Sequence, residues 1–239
     1  MVRGAGWEDL QLKGKTMGIW DLFRRNKPLC EILPEQIWFD DDSTNQGVLE
    51  IIRERLSANE HLLLTSRFEQ RLQELAALLQ EADLPAEPLQ QEMRPQDFEG
   101  ELQRGGAPRL YLAPASLLVG DPQPRASEDW EPPWSLTVLV REHHPLRAAD
   151  ERIERFVGGL PNARLQYLSS LDDALLQTFI DPQVREILRK MGMDRGESVS
   201  SGMVGKRLRS AQKRLNKAHG ARALQDAASS QAWLKANGY

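Results

Sequence analysis

Ser135–Val140, SLTVLV, is apolar on both of its alternating faces. Such a segment has no side that water can wet, so it predicts a strand inside a parallel sheet covered by helices on both faces. The flanking sequence supplies partners for it. HLLLT at 61–65, RLYLA at 109–113 and the stretch 164–168 are further short apolar runs read as strands. Between them lie helical periods: Val48, Ile51, Ile52 and Leu56; then Phe68, Leu72, Leu75, Ala76 and Leu79; then residues 148–157. Ser170 and Asp173, three apart, form a capping box that starts the next helix, and Asp172 and Asp173 suit the positive end of its dipole. Asp181 caps another, with Pro182 in its first turn, Val184, Ile187, Leu188 and Met191 as its stripe, and Gly192 at its end. Strands alternating with helices predict a three-layer α/β domain.

The connections are legible too. Residues 84–108, rich in Pro, Gln, Glu and Gly, read as a loop carrying a short edge element and a short helix near 98–103. Residues 120–134 read as a proline-broken surface connection. Near the end, Val204, Leu208, Ala211 and Leu215 repeat at four, three and four, which gives a helix with one apolar seam. Its other faces carry Lys206, Arg207, Arg209, Lys213, Arg214 and Lys217, and a final helix is expected over 221–236. The predicted organisation is a tail at 1–34, an α/β domain at 35–200 and a basic helical extension at 201–239.

Composition excludes several classes. With 40% hydrophobic and 28% charged residues in 239, the chain is not a disordered polymer and has room for a sizeable core. Cys30 is the single cysteine, which rules out an intramolecular disulfide and a cysteine-rich zinc site and fits a reducing compartment. No apolar run reaches the roughly 18–20 residues that span a bilayer, and no secretory-signal core stands at the N-terminus, so a cytoplasmic protein is expected. Ile19, Trp20, Leu22 and Phe23 beside Arg24, Arg25 and Lys27 form a stretch able to pack on the domain or lie on an anionic membrane.

In this order of elements, REHHPLRAAD, LQYLSSLDDALLQTF, VREILRKMGMDRGES and VGKRLRSAQKRLNKA resemble successive blocks of the SecA preprotein translocase ATPase family. The family reads there, approximately, E-R-H-E-S-R-R-I-D, R-F-Y-L-S-x-E-D-A-L-M-R-x-F, R-K-L-G-M-x-x-G-E and V-T-K-A-I-x-x-A-Q-R-K-V-E. The resemblance runs from about Arg141 to Ala218, with a weaker likeness at 61–84. It implies the second RecA-like motor domain and the start of the helical scaffold. The matching positions are Glu142, His144, Arg147, Asp150, Asp172, Asp173, Arg189, Lys190, Gln212 and Lys213, read as structural or interface residues. In that family nucleotide sits between two RecA-like domains, the phosphate-binding loop on the first and arginine fingers on the second. Two such domains need roughly 300 or more residues, so a complete motor does not fit here.

The phosphate-handling chemistry is eroded. GKT at Gly14–Thr16 has Asp9 where a phosphate-binding loop needs glycine, and WEDLQLK is a poor strand to lead into it. Where the family carries Q-L-R-G-R-S-G-R-Q-G-D, this chain has RIERFVGGLPNA, with Phe156 and Gly159 near the expected arginine-finger positions. Neither can set positive charge against a phosphoryl group; Arg152 and Arg155 lie nearby in a shifted register. The family's glycine-rich T-N-M-A-G-R-G-T-D-I corresponds to APASLLVGDPQP, where Leu117, Leu118 and Val119 suit packing and Gly120 and Asp121 are remnants. His143 and His144 lack metal-ligand spacing and are expected to make structural hydrogen bonds. Ser169, Ser170, Asp172 and Asp173 are accounted for by helix capping.

These features predict a non-catalytic motor-like domain without bound cofactor or metal that binds a protein partner, in preprotein translocation by resemblance. The alternatives are the in-trans half of an ATPase completed by another chain, or a peripheral module. A peripheral module would use the basic face (Lys206, Arg207, Arg209, Arg214, Lys217) on the inner membrane or on nucleic acid. Nucleic acid ranks last because no aromatic platform interleaves with the cations.

Overall fold

The computed structural model describes residues 29–104, 106–120, 132–179, 183, 186, 187, 190, 196–200, 202–220 and 227–239. The GKT segment, the aromatic and basic stretch before Cys30, Asp121, Arg189 and most of the helix expected from Asp181 lie outside these residues. The elements, in order, are β1 (Glu31–Ile32), β2 (Gln36–Trp38), α1 (Asp41–Ser57), β3 (His61–Ser66), α2 (Glu69–Glu81), β4 (Glu87–Pro88) and α3 (Pro95–Gln103). Then come β5 (Leu110–Pro114), β6 (Leu136–Arg141), α4 (Arg147–Gly158), β7 (Ala163–Ser170), α5 (Ala174–Phe179), α6 (Gly202–His219) and α7 (Ser230–Ala236).

The seven strands form one sheet in the order β1-β7-β6-β3-β5-β4, with β2 also on β7, and these pairings are all parallel. The doubly apolar stretch becomes β6, buried at every position, between β3 and β7. Side-chain alternation along the strands splits the core in two. Leu63, Val138, Val140, Leu165 and Tyr167 face α3 and α4, whereas Leu62, Leu64, Leu139 and Leu168 face α1 and α2. That is the three-layer α/β architecture.

A third cluster stands at the carboxyl ends of the strands. There α5, α6 and α7 pack Leu175, Leu176, Leu208, Leu215, Trp233 and Leu234 against Ile37, Phe68, Leu146 and Leu171. The extension therefore covers the sheet end on which open α/β sheets ordinarily bind ligands.

Three boundaries differ from the sequence reading. The sheet takes in Glu31 and Ile32, within the stretch read as a tail, because they pair with Arg164 and Leu165 of β7. Helix α1 starts at Asp41, well ahead of Val48 where its apolar stripe begins, since Asp40 is a working cap whose carboxylate accepts the Ser43 amide at 2.8 Å. Of the final helix expected over 221–236, residues 221–226 lie outside the described residues, 227–229 are not helical, and α7 starts at Ser230, where Ser229 caps it by accepting the Ala232 amide at 3.1 Å. The edge element and short helix expected between 84 and 108 are β4 and α3.

Candidate functional site at the carboxyl ends of the strands

Every β-strand of this sheet delivers its last residues to one edge, and two polar groups assemble there. The first is built around Arg141, the final residue of β6, whose side chain is wholly buried. Its guanidinium donates to both Asp173 oxygens at 2.9 and 3.1 Å and to Asp41 at 2.6 Å. Arg71 of α2 adds a second guanidinium, 2.7 Å from Glu74, 3.5 Å from Asp41 and Glu142, and 3.8 Å from Asp173. The two cations thus bind α1, α2, β6 and the β7–α5 turn to one another.

Asp173 also accepts the Ser170 amide at 2.8 Å, and Ser170 Oγ accepts the Asp172 amide at 3.0 Å, so the capping geometry exists. Capping is nevertheless not the whole account of Asp173. Its carboxylate is the buried counter-ion of Arg141, a role that local spacing does not reveal.

Glu142 follows directly and adopts a left-handed backbone conformation, φ 72°, unusual for a side chain with a Cβ. Its amide bonds Leu168 O at 3.1 Å, which holds the turn against β7. Burial, reinforced by the Asp173 charge, pushes its carboxyl up to about 8 against the opposing pull of Arg71 and Arg141. Burial raises Asp173 as well, against Arg141 and the Ser170 amide.

The second group is centred on His143, His144 and Asp150. His143 Nδ1 lies 2.7 Å from Asp150, its Nε2 lies 3.3 Å from Glu35, and its ring stacks on Tyr167 at 3.9 Å. Burial works against its charge, but the two carboxylates prevail and lift it to about 10, so it is an imidazolium at neutral pH. Asp150 and Glu35 are correspondingly held below the usual carboxylate range, burial being outweighed by His143.

His144 behaves oppositely. Its Nδ1 accepts the Leu146 amide at 2.9 Å, its ring stacks on Phe68 and meets the edge of Trp233, and burial depresses it to about 4. Two adjacent histidines therefore hold different protonation states because their surroundings differ.

Gln212 of α6 donates to His144 O at 2.8 Å and to Asp150 at 2.7 Å, which locks the extension onto the sheet. Arg147 makes a two-pronged contact with Glu154 at 2.6 and 2.7 Å, and Tyr167 donates to the same carboxylate at 3.2 Å. The sequence-derived positions Glu142, His144, Arg147, Asp150, Asp172, Asp173 and Gln212 thus gather at or beside one edge.

The remaining candidates do not join them. Lys190 is exposed and pairs with Glu186, and Lys206, Arg207, Arg209, Lys213, Arg214 and Lys217 form the exposed face of α6. Arg209 also borders a cavity of about 330 Å3 between α6, the segment Ile32–Glu35 and the Arg147 pair. Sequence reading missed Arg141, Asp41, Arg71 and Glu35. One signal was present: an arginine ending an apolar strand needs a buried counter-ion.

Phe156 and Gly159, the positions that the resemblance sets near arginine fingers, sit in packed surroundings. Phe156 is fully buried against Phe98 in the core, and Gly159 packs on Pro95. Gly120 lies so close to α4 that an added Cβ would strike the Arg155 side chain and the Phe156 backbone. Among the described residues no group of three His, Cys, Asp or Glu side chains is arranged to hold a metal, and no helix is long and apolar enough to cross a membrane.

No family model matches the chain. Individual proteins do. The protein translocase subunit SecA of a Nitratiruptor species is 34% identical over 86 residues, 35% of this chain and 10% of that protein. SecA of Herminiimonas arsenicoxydans is 35% identical over 82 residues, 34% of this chain and 9% of that protein. SecA of Nitratidesulfovibrio vulgaris matches over 193 residues at 24% identity, 80% of this chain and 23% of that protein. The chain thus spans about a tenth to a quarter of the length of these relatives. Among solved structures, the C-terminal part of the Fun30 ATPase domain aligns over 75% of this chain and 57% of its own, at 11% identity and a TM-score of 0.36. A likeness that low leaves the fold to rest on the sheet topology itself. In sequence, then, the chain is similar to a partial segment of the SecA protein translocase subunits, and it folds as a parallel α/β domain with a helical extension.

Proposed function

We propose that this chain acts as a non-catalytic SecA-motor-like domain, cytoplasmic or peripheral at the inner membrane, that binds a protein partner in preprotein translocation. The observation that carries the reading is the state of the guanidinium groups at the carboxyl edge. Arg71, Arg141 and Arg147 are each bound to carboxylates at 2.6–2.9 Å, so their charge is already neutralised at close range. An arginine that stabilises a transferring phosphoryl group must direct that charge at the phosphate instead.

Two further features agree. The positions nearest the expected fingers are core residues, and the helices α5–α7 cover the edge where a ligand would enter a bare sheet. Similarity to a partial segment of the translocase subunits supports the assignment to preprotein translocation.

The test has two arms. Calorimetry with magnesium and ATP on the full chain is expected to show no tight binding, and purified translocase components are expected to retain the chain on a column. Tight magnesium-dependent ATP binding, alone or only after a second chain is added, overturns the non-catalytic reading.

A further inference from the structure

The cavity that Arg209 borders has a volume of about 330 Å3. That is at the lower end of the roughly 300–1,000 Å3 of pockets that take a whole small molecule. It lies where the helical extension meets the sheet. Ile32, Leu33 and Pro34 form one side, Leu208 of α6 another, and polar side chains from β7, α4 and α6 complete it. Ile32 is 41% exposed there, an unusual state for a large aliphatic side chain beside a core.

Three of its polar groups lack the partner that their chemistry calls for. Gln212 gives its amide nitrogen to His144 O and Asp150, which fixes the orientation of the amide and makes Oε1 an acceptor. That oxygen is buried and accepts no hydrogen bond, although buried acceptors normally have a donor. Glu35 turns Oε1 to the Ser169 hydroxyl at 2.8 Å and to His143 at 3.3 Å, which leaves Oε2 without a donor among the described residues. Arg209 has no carboxylate at ion-pair distance among them.

Gly205, one turn before Arg209 on α6, separates the last two. A Cβ placed on it would stand 3.6 Å from Glu35 Oε2 and 3.7 Å from both terminal nitrogens of Arg209. The opposite charges therefore overhang one hollow, close enough for a short molecule to bridge and too far apart to pair. Their surroundings sharpen the polarity. Arg147 is matched by Glu154, whereas the His143 imidazolium is shared by Glu35 and Asp150, so the buried side keeps one negative charge in excess. Arg209 supplies the opposite charge at the rim. A simple anion would be repelled by Glu35 and a simple cation by Arg209. A molecule carrying an ammonium and a carboxylate a few bonds apart satisfies both.

We propose that this cavity binds a free aliphatic α-amino acid, its ammonium held by Glu35 Oε2 and Gln212 Oε1, its carboxylate by Arg209 and its side chain against Leu33 and Leu208. The site stands apart from the partner-binding reading, since every group that it uses belongs to the chain alone.

The experiment is calorimetry of the full chain at neutral pH with L-leucine and with its two single-headed analogues: 3-methylbutylamine, which lacks the carboxylate, and 4-methylpentanoate, which lacks the ammonium. Expected are saturable one-to-one binding of L-leucine and affinities lower by about tenfold or more for each analogue, since each forfeits a charged hydrogen bond. Gly205→Ala puts a methyl group into the hollow at ordinary contact distance and raises helix propensity. It is expected to keep the melting temperature or raise it while weakening leucine binding by about tenfold or more. Arg209→Gln, at an exposed position, is expected to weaken L-leucine by a similar factor without lowering the affinity for 3-methylbutylamine. Absence of a saturable leucine heat, an analogue that binds as tightly as leucine, or wild-type leucine affinity in either variant overturns the proposal. If Gly205→Ala fails to fold, Arg209→Gln decides, because a merely structural role for Arg209 would weaken leucine and the amine alike. The partner reading stands or falls on its own column and calorimetry.

Discussion

Replacing Asp150 by asparagine isolates the interaction that joins the helical extension to the sheet. Asp150 is buried and serves three donors: the His143 ring, the His144 amide and the Gln212 side chain. Asparagine keeps the size and loses the charge, which leaves the His143 imidazolium with Glu35 alone at 3.3 Å. Breaking a buried pair from one side costs about 3–5 kcal/mol. A second route gives a similar ceiling. Lifting His143 from its ordinary 6.5 to about 10 corresponds to about 5 kcal/mol at about 1.4 kcal/mol per pH unit, part of which belongs to Glu35.

The sign follows from the direction of the shift. Because the folded value lies above the unfolded one, the stabilisation from His143 is complete below pH 6.5 and is lost as the pH rises to about 10. Urea unfolding followed by tryptophan fluorescence at pH 6, 7.5 and 9 therefore measures a gap between the wild-type chain and Asp150→Asn. The gap is expected to be about 3–5 kcal/mol at pH 6 and to narrow steadily toward pH 10. The Glu142 contribution is common to both proteins and drops out of the difference. A gap under about 1 kcal/mol, or one that stays constant across this range, refutes the charge-pair account.

Four other outcomes are expected. Glu142→Gln should match the wild type near pH 4 and overtake it progressively between about pH 4.5 and 8 in the same urea assay, since the stabilisation from the protonated native glutamate is complete below 4.5 and is lost as the pH rises to about 8. Trp233→Ala, which empties a fully buried site against His144 and His219, should cost about 3–5 kcal/mol and speed amide exchange in α7 before α1. Gly47→Ala should cost about 1–3 kcal/mol in thermal unfolding, because its new methyl would collide with the Trp38 ring across α1 and β2. The triple change Lys206→Glu, Lys213→Glu and Lys217→Glu, all on the exposed face of α6, should leave the melting temperature nearly unchanged while reducing retention by translocase components.

The described strands and helices between Val48 and Ser170, and the seam of α6, were legible because burial imposes periods that local sequence carries: two for strands, 3.6 for helices. Where short range failed, the cause is specific. Asp40 and Ser229 are capping residues whose importance shows only when the amides at Ser43 and Ala232 turn toward them. Residues 31 and 32 give no strand signal of their own, being two exposed positions that pair solely because β7 presents an edge. In the site, the motif blocks named Glu142, His144, Asp150 and Gln212 but gave no pairing among them. Asp41 and Asp173 are 132 positions apart, and only the closed sheet sets both against Arg141.

What the sequence determined by itself was the layer architecture, since a strand apolar on both faces can be satisfied only between helices. Tertiary structure decided the protonation states and the counter-ions. His143 and His144 are the same residue type on consecutive positions, yet one is lifted to about 10 and the other lowered to about 4. That difference comes from Glu35, Asp150, Phe68 and Trp233, which folding delivers from four other parts of the chain. A pKa is set by charge and dielectric within a few ångströms in space, and distance along the chain does not encode it.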